Sequence, residues 1–171
     1  MNILDIILQR RSIRDFTDQQ IPEDLVTGLI EAMRWAPSAG NMQSRKFYFV
    51  FKAEIKKQLA KAALNQNFIL KAPLVVVACC DRRIAVRYGE RGVNLYSIQD
   101  VSASIMNLML TAQAMGLGTV WVGAFNEFEV FEILGLPDYL RPVSLIPVGF
   151  PAKSPMPTTR FSREELVTMV R

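Results

Sequence analysis

The apolar positions of the chain follow two periods, and each predicts a different element. Over residues 2–10 they fall at 3, 4, 6, 7 and 8, enough for a short helix ending in a basic pair. Pro22, followed by Glu23 and Asp24, starts a second helix. Proline suits a first turn, and acids there face the positive end of the helix dipole. Leu25, Val26, Leu29, Ile30 and Met33 then recur at helical spacing up to Trp35, and Pro37-Ser38-Ala39-Gly40-Asn41 breaks the run into a loop.

The period changes at residues 46–51, which are aromatic and β-branched and predict a strand. Helical spacing returns over residues 53–64. Residues 74–80 form a continuous β-branched run after Pro73, the pattern of a strand buried on both faces. Residues 94–115 predict the longest helix, with Leu95, Ile98, Val101, Ile105, Leu108, Met109 and Ala112 as its main stripe. Met106 and Leu110 widen that stripe until the helix is apolar most of the way round, so a core or a partner subunit must cover it.

Gly116-Leu117-Gly118 ends this helix, residues 119–124 predict a strand, and Glu127–Leu134 a short helix. Residues 143–148 predict a strand broken by Pro147, which belongs at an edge or a bulge. The proline-rich stretch 151–160 runs extended. Interspersed helices and four or five strands predict an α+β three-layer fold, and the absence of a linker or repeat predicts one domain over residues 1–171.

Composition narrows the chemistry. Half of the 171 residues are hydrophobic and 21% are charged, a surplus of apolar surface that points to a subunit interface. The adjacent Cys79 and Cys80 lie in an apolar run and suit buried thiols better than a disulfide or a metal clip. With no leader-like N-terminus and no segment of membrane-spanning length, a cytoplasmic compartment and no membrane partner are expected. The net charge of +4 comes without a dense basic tract, which argues for an anionic small ligand and against nucleic acid. The chain has no histidine. That removes the usual serine and cysteine nucleophile systems and histidine metal sites, so no metal is expected and a cofactor must carry any difficult chemistry.

One cluster fits such a cofactor. Arg10, Arg11, Ser12 and Arg14 place three guanidinium groups and a hydroxyl within five residues, suited to a phosphate and a polar ring edge. A solvated basic helix end would give the same letters.

The segment RRSIRDF, followed after the second helix by Pro37-Ser38-Ala39-Gly40-Asn41-Met42-Gln43, resembles the nitroreductase family. The likeness continues through Arg87-Tyr88-Gly89-Glu90-Arg91, Ser97-Ile98-Gln99-Asp100, Asn107-Leu108, Gly116-Leu117-Gly118-Thr119 and Trp121-Val122-Gly123-Ala124-Phe125. It ends with Leu134-Gly135-Leu136-Pro137 and Ile146-Pro147-Val148-Gly149, and so covers nearly the whole chain. Three departures stand out: Ser44 where the family usually has proline, Val122 where better-known members have an acid, and Thr158 where they have lysine.

The resemblance implies a homodimer of nitroreductase-like fold, with a mostly antiparallel central sheet and FMN at the subunit interface. It places Arg10, Ser12 and Arg160 near the FMN phosphate and ribityl chain, with Arg11 beside them, and Arg14 at the N1 edge of the flavin. Asn65 falls at the pyrimidine side, and Trp121, Val122 and Gly123 at the N5 edge, where glycine lets main chain approach closely. Pro37, Ser38 and Asn41 would close the site from the second subunit. For Trp121 alone a core role explains the residue better, and a helix C-terminal role for Asn65 and a plain turn for 37–41 would give the same letters. No Gly-X-Gly-X-X-Gly fingerprint is present, so NADH or NADPH would be a transient reductant.

The implied activity is a ping-pong transfer of hydride or electrons from NAD(P)H through the flavin to a small conjugated acceptor such as a nitroaromatic or a quinone. No catalytic side chain is expected, since the chemistry is the flavin's. A specialised reduced-flavin enzyme, or a protein that stores or senses FMN, would share the same cofactor residues.

Overall fold

The computed structural model describes residues 2–171. Helix α1 (Ile3–Gln9) starts on a reciprocal cap, in which the Asn2 side chain accepts from the Asp5 N–H and the Asp5 carboxylate accepts from the Asn2 N–H. Helix α2 (Glu23–Arg34) starts one residue past Pro22, which is its N-cap and not part of its first turn. After the loop come β1 (Arg45–Val50), α3 (Ala53–Ala62), a single helical turn α4 (Phe68–Lys71) and β2 (Leu74–Asp81).

Strand β2 organises the molecule. Val75, Val77 and Cys79 face a layer built by α3, α4 and α7 (Glu127–Leu134), while Leu74, Val76, Ala78 and Cys80 face α2 and α6 (Ser97–Ala114). Side chains alternate across a strand, so a run of unbroken apolar residues is a strand with a core on each side. For the same reason the adjacent Cys79 and Cys80, both buried free thiols, point into opposite layers. The result is the three-layer α+β architecture, with a four-stranded sheet in the order β1-β2-β4-β3 and every strand pair antiparallel.

Two strand expectations are corrected. Of residues 119–124 only the start is strand, as β3 (Gly118–Thr119), and Val122 forms a single bridge to Leu145. Val120 and Val122 are buried while Trp121 between them faces outward, so the segment is an interrupted sheet edge. Strand β4 (Leu140–Gly149) is longer than residues 143–148, and Pro147 lies inside an interior strand. Leu145 exchanges both its backbone hydrogen bonds with Val122, so Pro147, two residues on, aims its missing N–H at that same short edge, where its carbonyl accepts from Val120 at 3.4 Å. The bulge comes earlier, at Val143, where pairing shifts between Ala78–Ser144 and Cys79–Pro142.

Residues 82–93, where periodicity predicts nothing, form a short 3₁₀ turn, α5 (Ala85–Arg91) and the start of a π-turn over Gly92–Tyr96. The rest of that turn takes residues 94–96, expected as the first of the long helix, so α6 begins only at Ser97 and Leu95 lies outside it. Helix α6 buries Val101, Ile105, Leu108, Met109 and Ala112 but leaves Met106 exposed. From Pro151 onward every residue is exposed, and the chain is extended except for one capped turn, α8 (Arg163–Leu166).

Candidate functional site

The arginine segment is laid along the β3 edge of the sheet. The Ile13 N–H donates to Thr119 O at 2.9 Å, Thr17 N–H to Phe150 O at 2.9 Å, and Ala152 N–H to Asp15 O at 2.9 Å. Ile13 and Phe16 turn into the core, which sends Arg14 outward and leaves Ser12 half-buried. Arg11 spends its guanidinium on the end of α1, donating to Leu8 O at 2.6 Å and Arg10 O at 2.9 Å.

Arg10 is different. It is half-buried, and its Nη1 is buried with no hydrogen-bond partner. Burial lowers its pKa, and so do the neighbouring charges of Arg160 and Arg11. Arg160 itself donates to Thr158 Oγ1 at 2.6 Å and to Thr159 O at 2.8 Å. A buried donor without an acceptor costs about 1–3 kcal/mol, and three like charges add repulsion. An anion with several acceptor oxygens would relieve both.

Arg14 lies over the Phe68 ring, with Cζ 5.9 Å from the ring centre. Phe68 opens α4, so this turn and the arginine segment meet. Just before it, Leu64 and Asn65 both take left-handed backbone conformations, at φ 56° and 59°, and leave Asn65 exposed. That is the helix-ending geometry asparagine tolerates. Gln66 Nε2 then donates to Ala124 O at 3.2 Å and ties this loop to residues 121–124. Gln66 and Phe68 are the site residues that sequence patterning misses, because α4 is one turn long and carries no period.

On the 121–124 segment, Trp121 is 38% exposed, so it is not a core residue. Val122 is buried, and the sheet consumes both its N–H and its carbonyl through Leu145. Gly123 is the open position: a β-carbon there would meet nothing within 4 Å. Its side of the chain could receive a flat ring at close range.

Pro37, Ser38 and Asn41 lie elsewhere. Their loop lines a recess of about 320 Å³ with Trp35, Gln43 and Arg45. Ser38 Oγ accepts from Gln43 N–H at 3.0 Å, so its hydroxyl braces the loop. The loop enters β1 at one edge of the sheet, whereas Arg10–Arg14 border β3 at the other. Three strand spacings, roughly 14 Å, separate those edges. No hydrogen bond or ion pair among the described residues joins the two groups.

A sequence profile of the nitroreductase family matches residues 7–85 and 64–150, which together are most of the chain. The chain belongs to the nitroreductase family. Among its relatives, an NADH dehydrogenase of Thermus thermophilus is 30% identical, with 94% of this chain and 92% of that protein covered. Nitroreductase A of Vibrio parahaemolyticus is 30% identical in sequence and superposes with a TM-score of 0.92, covering all of this chain and 77% of that one. An NADPH:FMN oxidoreductase of Vibrio harveyi, solved as a complex with NAD+, is 28% identical at a TM-score of 0.92, with coverage of 100% and 78%.

As a nitroreductase-family chain, this one keeps the arginine segment and the 37–43 loop but carries the neutral Val122, turned inward. No cluster of metal-ligating residues occurs among the described residues, and no helix among them is long and apolar enough to cross a membrane.

Proposed function

We propose that this protein is an FMN-dependent oxidoreductase that takes electrons from NADH or NADPH and passes them to a small conjugated acceptor, such as a nitroaromatic or a quinone. The observation that carries the reading is the buried, unpartnered Arg10 Nη1, with the charges of Arg11 and Arg160 close by, a donor set that suits an anion. The monophosphate of FMN suits it in charge and in acceptor number.

In this reading Arg10, Ser12 and Arg160 hold the phosphate and ribityl chain, and Arg11 supports them by fixing the end of α1. Arg14, steadied on Phe68, supplies positive charge at the N1 edge of the ring. Asn65 bonds the pyrimidine side. Trp121, Val122 and Gly123 border the N5 edge, with Val122 acting through the ladder that fixes it and Gly123 giving close approach. FMN, when bound, supplies the centre that accepts a hydride from the nicotinamide and passes electrons on. The protein positions the ring and sets its electrostatics. Reductant and acceptor use one open face in turn, a ping-pong order.

The working unit we propose is a homodimer with the site at its interface. Two observations support it. Pro37, Ser38 and Asn41 lie at the opposite edge of the sheet from their own chain's arginine segment, so in this reading the flavin they cover is a second copy's. Helix α1 buries none of its residues, leaving Ile3, Leu4, Ile7 and Leu8 bare, and the tail exposes Phe161, Leu166, Val167 and Val170. That apolar surface fits a large interface. The buried free thiols agree with a cytoplasmic setting.

The test is direct. Purified protein reconstituted with FMN should be yellow, dimeric in sedimentation, and bleached anaerobically by NADH or NADPH. Arg10→Ala should weaken FMN binding by roughly 10- to 100-fold, the worth of one or two charge-assisted hydrogen bonds. A protein that never retains FMN overturns the reading, and a yellow protein that neither nicotinamide bleaches would be a flavin store.

A further inference from the structure

Within four positions the loop after α2 holds three left-handed residues, Gly40 (φ 52°), Asn41 (φ 55°) and Gln43 (φ 50°). Such a backbone persists only where its surroundings over-determine it, and non-glycine residues pay for it in strain. The Asp100 side chain, buried near the start of α6, is the centre of what holds it. Its Oδ1 accepts from Ala39 N–H at 2.8 Å, and its Oδ2 accepts from Ser44 Oγ at 2.6 Å and Ser44 N–H at 3.3 Å. The two ends of the strained stretch are thus drawn to one carboxylate.

Arg45 completes the frame from the carbonyl side. Its guanidinium donates to Ala36 O at 2.8 Å, Pro37 O at 3.0 Å, Arg34 O at 3.1 Å and, at 3.5 Å, to the Asp100 carbonyl. Asp100 therefore gathers the loop's donors and Arg45 its acceptors.

We infer that Asp100 and Ser44 form a latch that fixes residues 38–43 in their strained shape, which makes both of them positioning residues for the flavin-covering loop. The inference rests on the proposed role of Pro37, Ser38 and Asn41 in a second copy's site. Its chemistry is specific to a carboxylate, because all three contacts are donors and an amide in the same place would turn N–H against N–H on one side. It also departs from the usual family pattern. The proline that the family usually has at position 44 owns neither an N–H nor a hydroxyl and could make neither bond; any other residue would supply the N–H, and serine adds the hydroxyl.

The experiment compares the reconstituted wild type with Asp100→Asn, Ser44→Ala, the double variant and Val130→Ala, a core truncation in the layer on the opposite face of the sheet. FMN affinity by fluorescence quenching, KM and kcat for the nicotinamide, and Tm are measured for each. Asp100→Asn should weaken FMN binding about tenfold and Ser44→Ala a few-fold, and the double variant should do little more than Asp100→Asn, since one network is lost once. Val130→Ala should lower Tm without moving FMN affinity.

The latch is overturned if Asp100→Asn leaves FMN affinity and KM at wild-type values, or if Val130→Ala weakens FMN as much for the same loss in Tm. Should Asp100→Asn not fold, Ser44→Ala decides, and unchanged FMN affinity overturns the inference. Hydrogen exchange of the Ala39 and Ser44 amides reads the latch without any flavin. Protection in the wild type and loss of it in Asp100→Asn upholds the latch even if FMN binding itself fails, whereas fast exchange in the wild type removes it.

Discussion

Ile13 occupies the space where a side chain on Gly118 would stand. A β-carbon there would come within 2.6 Å of Ile13 Cγ1 and 2.8 Å of its Cβ, closer than packed atoms approach. Since Gly118 has an ordinary backbone, close approach alone requires the glycine, and this contact docks the arginine segment on β3. Gly118→Ala should cost about 1–3 kcal/mol, seen as a lower denaturation midpoint, and should weaken FMN binding as Arg10 and Ser12 shift. An alanine variant as stable as the wild type would show that the segment is held elsewhere.

Arg14 carries the expectation for redox tuning. Replacing it by alanine removes a cation from the ring edge where negative charge gathers on reduction. Loss of about 1–2 kcal/mol of differential stabilisation corresponds to roughly 20–40 mV for a two-electron couple, so the flavin potential should become more negative by that amount. A dye-coupled titration measures it, and an unchanged potential would remove Arg14 from the N1 edge.

The cysteines should be silent. Burial, with Cys80 beside it, pushes the Cys79 thiol up to about 12, and burial raises Cys80 as well. Thiolate is the reactive form, so a thiol reagent at mildly alkaline pH should leave the folded protein unmodified and label both residues after denaturation. Rapid labelling of the native protein would contradict their placement.

Lys56 is a buried cation outside the site, and its Nζ donates to Ala72 O at 2.6 Å and to Pro73 O at 3.4 Å. Burial holds its pKa below the ordinary 10.5. Between the lowered value and 10.5 the unfolded chain binds more protons than the folded one, so stability should rise with pH across that window. Lys56→Met should abolish this rise and, at neutral pH, cost about 1–3 kcal/mol by leaving the carbonyls unpaired. Urea unfolding over a pH series measures both effects.

Most of the fold could be read from periodicity because its elements are long and sharply patterned. The unbroken run in β2 announces a strand with a core on both faces, and the stripe of α6 from Val101 to Ala112 is buried as its spacing predicts, while Leu95 falls in the π-turn before it. What escaped reading has a physical reason in each case. Helix α4 and the turn of α8 are too short to show a period, and over residues 82–93 only Ile84 and Gly92 are buried, too few to make a stripe. Pro147 looks like an edge residue until it is known which neighbour its missing N–H faces. At the candidate site the arginines were legible as chemistry and the loop only through its family resemblance, but the contacts of Asp100, Gln66 and Phe68 were not legible at all. Their roles come from contacts across 56, 58 and 54 positions of sequence, which no local pattern encodes.

The separation of Arg10–Arg14 from Pro37–Asn41 at opposite edges of the sheet has a consequence for inheritance. If each centre takes one half from each chain, two copies damaged in different halves can rescue one another. Arg10→Ala and Asn41→Ala chains, each feeble alone, would in a mixed pair leave one centre with both lesions and one with none. Co-expressed, the two defective alleles should recover activity that neither shows by itself, through intragenic complementation.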